Sequence, residues 1–180
     1  MLSVEEAQER ILAMFQALEP ERKPLLDALG QVLAEDVVST LDIPPLTNSA
    51  MDGYAVRAAE ANSGTKLKCI GEVPAGSVFE GELGAGECIR IFTGSPMPDG
   101  ANAVVMQEYT HADGDLIEIT DGGKPFEHIR LRGEDLKTGE IIGHAGERLH
   151  AGRLQLLGAA GVAEVAGHCK PIVGVLSTGD

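Results

Sequence analysis

Pro44-Pro45-Leu46-Thr47-Asn48-Ser49-Ala50-Met51-Asp52-Gly53-Tyr54-Ala55-Val56-Arg57 is the stretch from which the rest of the chain is read. Each proline fixes its own φ and pushes the residue before it out of the helical region, so the segment opens rigid and extended. Asn48-Ser49 follows, two short polar side chains that hydrogen-bond nearby backbone and favour turns. Asp52-Gly53 is a turn dipeptide, and Tyr54-Ala55-Val56 behind it has strand character. An acid beside a glycine is a carboxylate on a bend where the backbone can approach a ligand closely. For the dipeptide alone, an ordinary connection between two elements is the stronger reading.

Upstream, Ser3-Val4-Glu5-Glu6 has the capping-box pattern, in which Ser3 accepts from the Glu6 amide and Glu6 reaches back. Val4, Ala7, Ile11, Met14, Phe15 and Leu18 recur at helical spacing. That spacing predicts an amphipathic helix over 4–18, ended by Glu19-Pro20, with Met14 and Phe15 in a core. Pro24 to Leu29 reads as a short helical turn stopped by Gly30, and Glu35–Val38 as a strand. Downstream, short apolar runs (Lys68–Ile70, Cys88–Ile91, Ala103–Met106, Leu116–Ile119) alternate with glycine- and proline-rich turns. This texture predicts a small antiparallel barrel or coiled sheet. Gly81-Glu82-Leu83-Gly84-Ala85-Gly86 lacks the strand-loop-helix context and the lysine of a phosphate-binding loop, and reads as turns. Past Thr138, Ile141-Ile142, Glu147–Leu149 and Val162–Ala166 read as strands, and Ala151–Ala159 as a short helix. His150 would cap that helix, poorly compared with Ser or Thr. Pro171-Ile172-Val173-Gly174-Val175-Leu176 is a continuous apolar run of the kind found in a strand buried on both faces. It leads into the polar turn Ser177-Thr178-Gly179-Asp180.

The composition bounds the function. A chain of 180 residues can form one core or two small ones. Its 28 acidic residues against 14 basic give a net charge of −14. This argues against non-specific nucleic-acid binding and against attraction to anionic membranes. No apolar leader and no run of 18 apolar residues occurs. The cysteines, Cys69, Cys88 and Cys169, are scattered and have no ligand spacing, which suits a reducing, cytoplasmic setting. His111, His128, His144, His150 and His168 show no HxH or HExxH pattern, so neither a zinc site nor a nucleophile triad is expected.

The Pro44–Arg57 segment resembles the signature of the MoeA-type molybdopterin molybdenumtransferases, a family that includes the E domain of gephyrin. The resemblance recurs in order at Cys88-Ile89-Arg90-Ile91-Phe92-Thr93-Gly94-Ser95-Pro96, Ala103-Val104-Val105-Met106-Gln107-Glu108 and Ile129-Arg130-Leu131-Arg132-Gly133-Glu134-Asp135. It closes at Val173–Asp180 and covers nearly the whole chain, but about the first half of a family member. With the change of texture near 46 and 139, it implies an α+β, mainly β fold. A small mixed α/β domain (1–45 and 139–170) would carry an inserted antiparallel β-barrel-like domain (46–138). Residues 171–180 would be the first strand of a truncated α/β molybdopterin-binding domain.

The resemblance also implies a reaction: molybdate is inserted into adenylylated molybdopterin, with Mg²⁺, giving molybdenum cofactor and AMP. It assigns Asp52, Thr93 and Asp135 to catalysis and Arg130 and Ser49 to substrate binding, with Asp52 also a ligand for Mg²⁺. From the residues themselves, Thr93 ends an apolar strand, where its hydroxyl and nearby amides could face an oxyanion or simply cap a turn. Strand alternation would put Arg130 and Arg132 on one face, where two guanidiniums either fork onto an oxyanion or form a solvated, salt-bridged edge. The partners implied are a second subunit in a homodimer, the small-molecule substrates and other proteins of molybdenum-cofactor biosynthesis. Without a pterin-binding domain, this chain alone is expected to be inactive. The alternative is a non-catalytic dimerisation or scaffold module like that of gephyrin. A stand-alone barrel carrier is disfavoured, since no lysine sits on an obvious hairpin tip.

Overall fold

The computed structural model describes residues 2–177 and Gly179. It divides into two compact units, Met1–Thr40 with Thr138–Asp180, and Leu41–Lys137. In the first unit, α1 (Val4–Leu12) begins at the expected capping box: Ser3 Oγ accepts from the Glu6 amide and the Glu6 carboxylate accepts from the Ser3 amide. The helix stops well short of residue 18, and Met14 and Phe15 are 84% and 72% exposed, not in a core. No residue of α1 is buried, so no packing offsets the entropy of ordering further turns. Pro20 opens a strand: β1 (Pro20–Pro24) pairs antiparallel with β12 (Glu164–His168). A single 3₁₀ turn, Leu25–Ala28, follows β1.

The remaining pair in this unit joins β2 (Val37–Val38) to β11 (Ile141–Gly143). Glu147–Leu149 makes only one bridge, Arg148 to Val32, where a strand was expected. The helix α2 (Ala151–Ala159) is capped by His150 after all, its Nδ1 accepting from the Arg153 amide at 3.3 Å. Arg153 then folds onto Glu147 and the Ile142 carbonyl, which ties the first turn to β11. Leu25, Leu33, Ile142, Leu149, Leu157 and Val165 form the buried centre. Residues 171–177 adopt no regular element, unlike the strand expected there, and Ile172 and Val175 are fully or nearly fully exposed. An extended run needs a neighbour for its N–H and C=O groups, and no described segment pairs with it. Thr178 and Asp180, in the turn expected after it, lie outside the described residues.

The second unit holds β3 (Asn48–Ser49), β4 (Gly53–Val56), β5 (Lys66–Val73), β6 (Glu87–Ile91), β7 (Ala103–Met106), β8 (Thr110–Asp113), β9 (Leu116–Ile119) and β10 (Ile129–Arg130). Six of these form one sheet in the order β7-β4-β6-β5-β9-β8, and β3 pairs separately with β10. The mainly β, α+β class thus stands. In this curled sheet β7 and β8 are the end strands, and one of its pairs, β5–β6, is parallel where antiparallel pairing was expected. A parallel pair needs a crossover of a dozen or so residues, and 74–86 supplies it.

Strand alternation feeds two cores, one on each face of the sheet. Val56, Leu67, Cys88, Val105, Ile117 and Ile119 pack on one side, while Ala55, Val73, Leu83, Ile89, Ile91 and Val104 pack on the other. Burial on both faces is why these strands read as continuous apolar runs.

β4 is clasped on both edges, pairing Gly53 with Ile91 of β6 and with Met106 of β7. The requirement for glycine at 53 is steric: a Cβ there would lie 2.0 Å from the Val105 carbonyl oxygen, which is backbone and cannot rotate away. The close approach anticipated at this glycine is therefore to a neighbouring strand. Gly53→Ala should destabilise the protein by about 1–3 kcal/mol or more through overpacking. A lowered midpoint of urea unfolding would register this; an unchanged midpoint would contradict the packing described.

Candidate functional site

The two ladders flanking β4 fix what surrounds Asp52. Continued one step past Gly53, the β4–β6 register brings Asp52 level with Phe92, next to Thr93. The β4–β7 register brings it level with Gln107. Asp52 Oδ1 accepts two hydrogen bonds from Thr93, from its amide and from its hydroxyl, both at 2.8 Å. The Asp52 carbonyl accepts from the Gln107 amide at 3.1 Å. Residues 41 positions apart thus meet because β4 and β6 are neighbours, and Gly94, at φ +85°, turns the chain away directly after Thr93.

Those two donors hold the Asp52 carboxyl below its ordinary value of 3.8. The Thr93 amide is the largest cause, followed by its hydroxyl; desolvation opposes them, and the Arg90 charge lowers the value least. Asp52 is exposed and ionised at neutral pH, and its Oδ2 makes no hydrogen bond among the described residues. Thr93 differs from the expectation in one respect: its amide and its hydroxyl proton both face Asp52, so neither is free for an oxyanion.

Arg90 lies just before this pair and was not singled out from the sequence. Its guanidinium donates to the Gly53 carbonyl at 3.2 Å and to Gln107 Oε1 at 2.5 Å. Its Cζ lies 5.1 Å from the centroid of Tyr54 and 5.0 Å from that of Phe92, within cation–π range of both. The available signal was a lone cation inside the apolar run Cys88-Ile89-Arg90-Ile91-Phe92, because a half-buried charge needs a set of partners.

The other expected residues lie at graded removes. Ser49 is fully buried, and its hydroxyl donates to the Met51 carbonyl, so it braces the bend leading to Asp52. Its amide donates to the Ser95 carbonyl, and Gly94 donates back to the Ser49 carbonyl, which joins β3 to the turn after Thr93. Arg130 sits on β10 opposite Asn48, exposed, with no ion pair among the described residues. Arg132 does not share a strand face with it: β10 ends at Arg130, and Arg132 lies in the following turn, paired with Asp42. Asp135 is exposed, and its amide donates to the Ile43 carbonyl at 2.9 Å. No hydrogen bond or ion pair among the described residues joins Arg130 or Asp135 to Asp52.

The pair lies on open surface. Two larger concavities of this unit are elsewhere, one of about 340 Å³ between Arg57 and Gly100 and one of about 250 Å³ beside Lys66 and His111. No group of three or more His, Cys, Asp or Glu side chains suited to a metal occurs among the described residues.

Thr93→Ala removes the hydroxyl donor and keeps the amide, so the Asp52 pKa should rise toward its ordinary value without reaching it. The depressed folded-state pKa stabilises the protein above the unfolded pKa, and that contribution is lost as pH falls through the folded one. The variant should retain less of it. A ¹³C titration of the Asp52 carboxyl reads the shift directly, and an unmoved midpoint would contradict the geometry.

Residues 2–161 match the family model described as MoeA N-terminal region (domain I and II). A molybdopterin molybdenumtransferase of Haemophilus influenzae is 37% identical over 182 residues, covering 100% of this chain and 45% of the relative. Molybdopterin molybdenumtransferase 2 of Mycobacterium tuberculosis is 39% identical, over 99% of this chain and 45% of its own. Two crystal structures of the molybdopterin biosynthesis MoeA protein of Pyrococcus horikoshii superpose with TM-scores of 0.79 and 0.83. Their identities are 40% and 33%, and they cover 86% and 95% of this chain. The chain spans about 45% of the length of the curated relatives it matches. No helix among the described residues is long and apolar enough to cross a membrane. With the Asp52–Thr93 pair, the two units and these matches in view, the chain belongs to the MoeA N-terminal region family.

Proposed function

We propose that this chain is the N-terminal part of a molybdopterin molybdenumtransferase that inserts molybdate into adenylylated molybdopterin, yielding molybdenum cofactor and AMP. The carrying observation is the Asp52 carboxylate, locked through one oxygen by both donors of Thr93 and open at the other. A carboxylate with a depressed pKa is a weak general base, so its work is to orient and to hold charge. Its free oxygen suits a positive partner or the proton of a hydroxyl-bearing substrate group.

Mg²⁺ fits this arrangement, with Asp52 as one of its several ligands. That ion commonly takes one or two carboxylates and fills its shell with water and substrate phosphate. Asp52 would be the ligand from this chain, and the ion would neutralise developing phosphate charge. Arg130, exposed and without an acidic partner among the described residues, would contact the oxyanion, and Asp135 would line the same cleft. Ser49 would act from beneath, by bracing the bend under Asp52.

The exposure of both Asp52 and Thr93 supports a cleft completed by other parts of a longer protein. A homodimer is supported by the apolar residues displayed on and after α1 (Ile11, Leu12, Met14, Phe15). The same exposed face is what favours the second reading, a dimerisation or scaffold module. We further read 171–180 as the lead-in to an α/β pterin-binding domain, 46–138 as the inserted β domain, and the setting as cytoplasmic.

In a family-length protein carrying this chain, Asp52→Asn should abolish most cofactor formation from adenylylated molybdopterin and molybdate, while leaving oligomeric state unchanged and lowering thermal stability only modestly, since the Asn side-chain oxygen can still accept from Thr93. Undiminished output would favour the scaffold reading. The 180 residues alone should show no turnover, and robust conversion by them would overturn the division of labour proposed.

A further inference from the structure

The polar groups around Asp52 close into a ring that the proposed chemistry does not by itself require. The Gln107 amide donates to the Asp52 carbonyl, and the Gln107 side-chain oxygen accepts from Arg90. Arg90 in turn donates to the carbonyl of Gly53, the next residue along from Asp52. β6, β4 and β7 are therefore stitched together by side chains at the point where the backbone ladders end. Tyr54 and Phe92 flank the guanidinium, which restricts the rotamers open to it. Among the described residues Arg90 has no carboxylate bound to it, so its position is set by two neutral acceptors and two rings. The ring holds the backbone from which Asp52 projects through charge-assisted hydrogen bonds from Arg90, the stronger kind, while the Thr93 donors hold the side chain itself.

From this ring we infer that Arg90 and Gln107 are positioning residues that hold the two peptides following Asp52, through the Asp52 and Gly53 carbonyls, so that the free carboxylate oxygen keeps a fixed aim. The inference rests on Asp52 being the working carboxylate of the proposed function. Gln107 is itself exposed, so its substitution should leave the fold intact. Its side chain contributes only an acceptor to the ring, which makes the test chemical and not merely steric.

The test uses a family-length protein carrying this chain, with steady-state cofactor formation from adenylylated molybdopterin and molybdate. Gln107→Leu removes the acceptor and should lower kcat on the order of tenfold with KM little changed, as expected when a supporting shell is loosened. Gln107→Glu keeps an acceptor for Arg90 and should restore most of that loss. Arg90→Lys keeps the charge but loses the fork, and should behave like Gln107→Leu. If Asp52→Asn is inactive while Gln107→Leu matches the parent, the positioning role is overturned and the site reading survives. The role is likewise overturned if Gln107→Glu is as impaired as Gln107→Leu. If Asp52→Asn is itself fully active, the site reading falls first.

Discussion

Two hydrogen bonds onto one carboxylate oxygen, from the amide and the hydroxyl of Thr93, tie the start of β4 to the end of β6. They exist only because β4 lies between β6 and β7, and that placement depends on Gly53. Its missing side chain lets the Val105 carbonyl come closer than any Cβ would allow. Sequence, packing and site are therefore one constraint here. The glycine admits the neighbouring strand, the strand fixes the register, and the register sets Asp52 beside its donors.

This geometry divides the labour of one side chain. Oδ1 is tied to the fold and Oδ2 makes no hydrogen bond among the described residues, so the carboxylate is held without being sequestered. Its depressed pKa follows from the same two donors, with Arg90 as a lesser electrostatic contributor. Against a net charge of −14, a fixed guanidinium near an ionised carboxylate also keeps the local field from being uniformly negative. An anion can then approach this face at lower electrostatic cost.

The strands of the second unit were legible because burial on both faces forces continuous apolar runs, as in Cys88–Ile91 and Ala103–Met106. The Ser3–Glu6 box was legible because capping is local chemistry. The end of α1 was not: apolar spacing over 4–18 records a hydrophobic face but not whether anything packs against it. The parallel β5–β6 pair was also hidden, since strand order is set by long-range pairing that short runs do not encode. Asp52 and Thr93 stood out through family resemblance, whereas their contact, the Arg90–Gln107 ring and the bracing role of Ser49 required the register. His150 was underrated as a cap because its ring nitrogen can accept an amide proton as a hydroxyl does.

Which oxygen of Asp52 meets a ligand decides whether its two oxygens divide the work between fold and site. A crystal structure of a family-length protein carrying this chain, with molybdate and adenylylated molybdopterin bound, addresses that directly. Thr93 should still donate to Oδ1, with substrate or its bound cation at Oδ2. Ligand density remote from Asp52, or a carboxylate rotated away from Thr93 to bind through both oxygens, would contradict this arrangement.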